Sequence, residues 1–216
     1  MSSASASYSG GPMYRKPGGT CPNCQETDGL TKCTRCLGVA YCCVDCQRKH
    51  WSEQHKKKCA DIGQWNLLQA IEHHDSDCVR KLSKSSSSKV VDGDCQSESD
   101  GCRFLQFNRP VIACVRYDNV DALRILLDSG HLTKIDVEDS DGETALHMAA
   151  SKYDVGMINL LLQHGADPNH CSHDGFSVLM MAARNFDDHN NMLPDETFDQ
   201  FQERQRRTLD LLMQYR

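Results

Sequence analysis

Aromatic residues are scarce, at 6% of 216 positions, and only two are tryptophan. That scarcity argues against a large β-sandwich and for small aliphatic packing between helices. Long apolar runs are missing too. No segment approaches the roughly 18 uninterrupted apolar residues of a membrane span. The first twenty residues hold no apolar stretch of the kind a secretory signal uses. The 13 cysteines are odd in number, so a fully paired disulfide framework is not expected and a reducing compartment is. With 39% hydrophobic and 25% charged residues, the chain has enough apolar surface to bury a core in one to two domains.

What is present is unevenly spread. Eight of the 13 cysteines fall between Cys21 and Cys59. Residues 1–59 carry nine Lys/Arg against four Asp/Glu, a net of +5, while the remainder carries −11. Two modules follow from this split. Residues 1–20 are Ser, Gly and Pro with few aliphatics, which predicts a disordered tail. Residues 21–59 form the cysteine block. Residues 60–84 read as a helix pair, 85–102 as a Ser-rich loop, and 103–216 as repeating helices with an acidic insertion at about 186–203. The fold class expected is mainly α.

The block reads Cys21-x2-Cys24, Cys33-x2-Cys36, Cys42-x3-Cys46 and His55-x3-Cys59. These four pairs supply eight ligands, and structural zinc takes four N/S ligands in a tetrahedron, so two zinc ions are expected. A CxxC knuckle turns both sulfurs to one point. An i,i+4 pair on a helix puts both ligands on one face. A redox dithiol at Cys21–Cys24 would need a βαβ frame, which the sequence does not provide. Thirty-nine residues cannot hold much of a core, so metal should supply most of the folding energy. Seven thiolates and two zinc ions reduce the +5 to about +2. Spacing permits sequential and interleaved pairing of the ligands equally, and Cys43-x2-Cys46 is itself a CxxC that could replace Cys42. His50 reads as exposed, since His55 alone keeps the i,i+4 spacing to Cys59. Loss of Cys36 is expected to unfold the block and leave the following helices in place.

Tyr41-Cys42, Cys46-Gln47, Trp51 and His55-x3-Cys59, behind two knuckles, resemble a MYND-type zinc finger. The resemblance implies interleaving: Cys21, Cys24, Cys42 and Cys46 for one zinc, Cys33, Cys36, His55 and Cys59 for the other. It also implies a module that binds short proline-containing peptides. By position, Gln47 and Trp51 match the family's peptide contacts, with Thr34 a weaker match. Gln47 and Trp51 are four apart and share a helix face, where an indole beside an amide suits an extended peptide. Packing of Trp51 between helix and knuckles is the competing reading. The run Lys56-Lys57-Lys58 reads as a solvated face rather than a nucleic-acid patch.

Downstream, Asp141-Gly142-Glu143-Thr144-Ala145-Leu146-His147-Met148-Ala149-Ala150 aligns with Asp174-Gly175-Phe176-Ser177-Val178-Leu179-Met180-Met181-Ala182-Ala183 at an offset of 33. A second alignment sets Ile125–Gly130 against Leu160–Gly165. The period and motifs resemble ankyrin repeats. A nine-residue spacing recurs from Ala149 to Ile158, from Cys114 to Leu123 and from Ala70 to Val79. Residues 64–84 are therefore a degenerate first pair, with the finger docked on it and Trp65 a candidate contact. Ala149 and Ala150 permit close helix packing, Thr144 sits at an N-cap, and Gly165 supplies a positive φ. The resemblance makes His147 structural. No polar capping repeat follows the last helix, and an uncapped solenoid end exposes apolar surface, so the expectation is either a self-capping last helix or a truncated chain.

Enzymatic readings lack their parts. His73-His74-Asp75 is an HxD, but it falls at a helix–helix turn rather than in a jelly roll. No HxE with PCxxC, Gly-rich phosphate loop or Ser/His/Asp set occurs. The sequence thus reads as a non-catalytic, zinc-binding adaptor in the cytoplasm, monomeric and off the membrane. Its finger would take Pro-containing peptides and its repeats a second protein. The alternative is a nuclear transcriptional cofactor whose finger touches DNA or a corepressor.

Overall fold

A computed structural model describes residues 20–85, 109–184 and 192–215. The expected tail at 1–20 and the Ser-rich loop at 85–102 lie outside the described residues, apart from Thr20 and Ser85.

The finger begins with two short strands, β1 (Thr31–Lys32) and β2 (Ala40–Tyr41). They pair antiparallel with Thr31 opposite Tyr41, and between them they clasp the second knuckle. The chain then turns helical at Val44 and stays so to Glu72. It passes through α1 (Val44–His50), a π-helical turn (Trp51–His55) and α2 (Lys56–Glu72). Both joints keep right-handed helical angles, with φ −63°, ψ −32° at His50 and φ −52°, ψ −40° at Lys56. Finger and first repeat therefore share one helix, and the boundary read at Cys59 falls inside it.

The remaining helices are α3 (Ser76–Ser85), α4 (Pro110–Arg116), α5 (Val120–Asp128), α6 (Ala145–Ser151), α7 (Val155–Gln163), α8 (Val178–Arg184) and α9 (Phe198–Gln214). Helices α2, α4, α6 and α8 contact one another in succession, and α3, α5, α7 and α9 form a second layer. This is a solenoid of helix pairs, each burying its face on its neighbours.

Three of the four turns within pairs are built alike. His74, Asp118 and Tyr153 take positive φ, between 52° and 57°. The next residue, Asp75, Asn119 or Asp154, donates its N–H to the carbonyl of Ala70, Cys114 or Ala149. Its side chain then accepts the N–H of Cys78, Ala122 or Met157, each at 2.9 Å, and caps the second helix. This fixed geometry is what produces the nine-residue spacing. It places Val79, Leu123 and Ile158, all fully buried, opposite their partners. The HxD run of the sequence is thus a turn, and Asp75 is its cap.

Asn119 does more than cap. Its Nδ2 donates to Ile71 O at 2.8 Å, tying the second repeat to the first, and the side chain is buried. Although Ile71 O keeps the His74 N–H, Asn119→Ala removes a cap and the hydrogen bond that joins the two repeats. It should cost about 2–3 kcal/mol of repeat stability, measurable by urea unfolding.

One apolar core runs through all the pairs, from Leu67 to Leu212. Ala149 and Ala150 are fully buried where α6 meets its neighbours, and Gly165 closes α7 with φ +88°. Thr144 is the N-cap of α6.

The last pair corrects the sequence reading. The insertion drawn as a loop to about residue 203 is helical from Phe198, within a 17-residue α9. Its start is set by a capping box. Thr197 Oγ1 accepts the Gln200 N–H and Gln200 Oε1 accepts the Thr197 N–H. The segment also folds back onto the stack. Arg204 makes two bonds to Glu196 and a third to Lys152 O. Phe201 is buried edge-on against Tyr153, at 5.7 Å and 87°. Residues 185–191 of the insertion are outside the described set.

Candidate metal centre

The eight ligands gather into two groups, Cys21, Cys24, Cys42 and Cys46, and Cys33, Cys36, His55 and Cys59. Within each group the ligand atoms all lie within 4.8 Å of one another. The grouping is interleaved, because β2 and α1 bring the third pair back to the first knuckle. The π-turn and the start of α2 bring His55 and Cys59 to the second.

The spacing of the donors tests the fit to zinc. Tetrahedral Zn–S bonds of about 2.3 Å place sulfurs about 3.8 Å apart, and a Zn–N bond of about 2.0 Å places nitrogen about 3.5 Å from sulfur. In the first group, Cys24 and Cys42 Sγ are 3.3 Å apart, Cys42 and Cys46 3.7 Å, and Cys24 and Cys46 3.8 Å. In the second, His55 Nε2 lies 3.4 Å from Cys33 Sγ and 3.6 Å from Cys36 Sγ. Soft thiolates and one imidazole at these distances suit zinc, and the finger carries two structural zinc sites. Zinc here supplies fold and not chemistry, since four protein ligands close each tetrahedron.

Cys43 stays outside the quartet. It is exposed at the N-cap of α1 with its Sγ 3.7 Å from Cys42 Sγ. Cys42 completes the first site.

The second site is the deeper one. Cys33, Cys36, His55 and Cys59 are all buried. Around His55 stand Tyr41, His50 and Trp51, with ring centroids at 6.1, 5.7 and 5.5 Å. His50 is therefore not the exposed residue expected from spacing. It is half-buried, stacks on His55 and pairs its Nδ1 with Tyr41 OH at 2.9 Å. Burial holds the His50 imidazole below its usual range, and the neighbouring His55 adds to this. For His55, burial opposes the charged ring, but hydrogen bonds with Cys33 and Cys36 outweigh it and push its pKa up to about 9 without metal. Zinc at this site thus displaces protons as it binds.

Of the residues matched to peptide contact, Gln47 stands on α1, Trp51 opens the π-turn that follows it, and Thr34 belongs to the second knuckle. Gln47 and Trp51 are half-buried and Thr34 is exposed. Trp51 packs edge-on to the zinc ligand His55 and carries the Arg35 guanidinium 5.4 Å from its ring. Packing and partial exposure coexist in this indole. Val44 is a residue the sequence reading passed over. It is 60% exposed and one turn before Gln47, so Val44, Gln47 and Trp51 follow i, i+3, i+7 spacing. That spacing was visible in the sequence.

In the repeats, Ile62 and Asn66 reach the second knuckle, while Trp65 packs on the repeat core. His147 is fully buried. Its Nδ1 accepts from Thr144 N–H at 3.2 Å and Thr144 Oγ1 at 3.0 Å, and its Nε2 donates to Phe176 O at 3.2 Å. No helix among the described residues is long and apolar enough to cross a membrane.

A two-zinc finger fused to a helical solenoid defines a zinc-binding, protein-interaction architecture. Residues 21–59 match the MYND finger family, and residues 67–172 and 111–194 match ankyrin repeats, in three copies. The chain belongs to the ankyrin-repeat proteins and carries a MYND finger ahead of the repeats. No curated protein matches it.

Proposed function

We propose that the protein is a monomeric cytoplasmic adaptor that joins two proteins through separate modules. The finger takes a Pro-containing peptide along α1, and the repeats take a second protein. The observation that carries this reading is the ridge of Val44, Gln47 and Trp51, set beside a zinc ligand on a helix whose position the metal fixes. An exposed valine gives apolar contact, the amide a backbone hydrogen bond, and the indole a stacking face for proline.

Titration of the full chain with Pro-containing peptides tests the ridge. Trp51→Ala should weaken binding by about 30-fold or more, as loss of a central aromatic anchor does. Gln47→Ala, which leaves the packing on His55 intact, should weaken it several-fold. Both proteins should retain two zinc ions. Unchanged affinity in both variants would overturn the ridge as the binding face.

A further inference from the structure

We propose that the finger has a second function: it is the N-terminal cap of the ankyrin stack, and the zinc held by Cys33, Cys36, His55 and Cys59 is the clamp that keeps it there. A solenoid end needs a cover, because each repeat buries its face only on its neighbours. At this end the cover is physically continuous with the repeat. His55 and Cys59 stand on the same helical run that delivers Leu67, Leu68, Ala70 and Ile71 to the repeat core.

The two modules also interlock away from that helix. Asn66, buried on α2, donates its Nδ2 to the carbonyl of the ligand Cys36 at 2.6 Å. Leu37 of the second knuckle packs against the repeat core, and Ile62 of α2 packs against the finger's cluster. Gly38 marks how close the approach is. A Cβ there would overlap Ile62 Cγ2 and lie 2.9 Å from Asn66 Nδ2.

The two zinc sites are unequal in this respect. The first has one ligand, Cys46, near the start of the helical run, far from the repeat, and its other three, Cys21, Cys24 and Cys42, ahead of it. The second takes Cys36, whose carbonyl receives the repeat's hydrogen bond, and two ligands from the shared helix. Metal binding energy at the second site is therefore folding energy for α2 as well as for the finger. Because repeats couple to their nearest neighbours, its loss should spread to α4 before the later pairs. The expectation that the finger fails alone gives way to a one-sided dependence.

Hydrogen exchange on the full chain reads this directly, with zinc counted by native mass spectrometry. Cys59→Ser and Cys24→Ser should each lose one zinc ion. Cys59→Ser should speed exchange of the α2 and α4 amides by about tenfold or more, or unfold the repeats outright. Cys24→Ser should leave those amides within about twofold of the parent. Gly38→Val, which replaces no ligand and crowds Ile62 and Asn66 rather than the ligand sulfurs, should keep both zinc ions yet speed exchange in α2. Equal behaviour of Cys59→Ser and Cys24→Ser, folded or unfolded, would overturn the clamp. So would unchanged α2 protection in Gly38→Val with two ions bound.

Discussion

Removing zinc with a strong chelator should unfold residues 21–59 and make seven cysteine thiols reactive at once. The buried residues of the finger's own cluster are Cys21, Cys33, Cys36, Tyr41 and Cys59, four of them metal ligands. Tyr41 is the only large apolar side chain among them, so burial cannot offset the entropy of ordering the segment. Structural zinc supplies on the order of 10–16 kcal/mol per site in apparent terms, which is most of the available stabilisation. A thiol reagent should label the seven ligand cysteines slowly in the metal-bound protein and rapidly after chelation. Thiols that stayed protected with both ions gone would show that the finger holds itself together by packing.

The second large effect is expected at His147. The ring is fully buried and satisfies three partners, Thr144 N–H, Thr144 Oγ1 and Phe176 O. His147→Ala leaves the buried Thr144 N–H unpaired, at about 1–3 kcal/mol, and removes one of the two hydrogen bonds to the Phe176 carbonyl, which keeps the Ser172 N–H, at about 1 kcal/mol. A loss of about 2–4 kcal/mol in repeat stability follows, read from denaturant unfolding. The ring must also be neutral, because Nδ1 already accepts a backbone N–H and has no room for a proton. Burial holds its pKa below 6.5, against the hydrogen bond its Nε2–H donates to the Phe176 carbonyl. A histidine with a depressed folded pKa contributes stability above the unfolded value of about 6.5 and loses it as pH falls below that. The slope from one such group is at most about 1.4 kcal/mol per pH unit. The stability difference between the parent and His147→Gln should therefore shrink between pH 7 and pH 5. A difference that grew as pH fell would mean that the charged ring is the stabilised form.

Much of this was legible in the residues. Four ligand pairs within 39 positions announce two metal sites, because no packing requirement produces that pattern. The nine-residue spacing announces the repeats, because a capped turn with one positive-φ residue is rigid. The order of zinc pairing was not legible from spacing, since a chain can return to its first knuckle or move on with the same intervals. The shared helix was hidden by the ligand pattern. Cys59 closes the finger as a list of ligands, yet no Gly or Pro between Cys43 and Ile62 stops the helix that carries it. His50 pairs with Tyr41 nine residues away through a contact that no helical period predicts. Thr197 and Gln200 were readable as a capping box and set the start of α9 inside a segment that looked like loop.

The interleaved two-zinc finger supports every other conclusion, and two double variants test it most directly by zinc content. Cys21→Ser with Cys42→Ser removes two ligands of one site, and the account predicts one zinc ion per chain. Cys21→Ser with Cys33→Ser removes one ligand from each site, and the account predicts none. Sequential pairing would give the reverse, none for the first variant and one for the second, and that result would contradict the arrangement described.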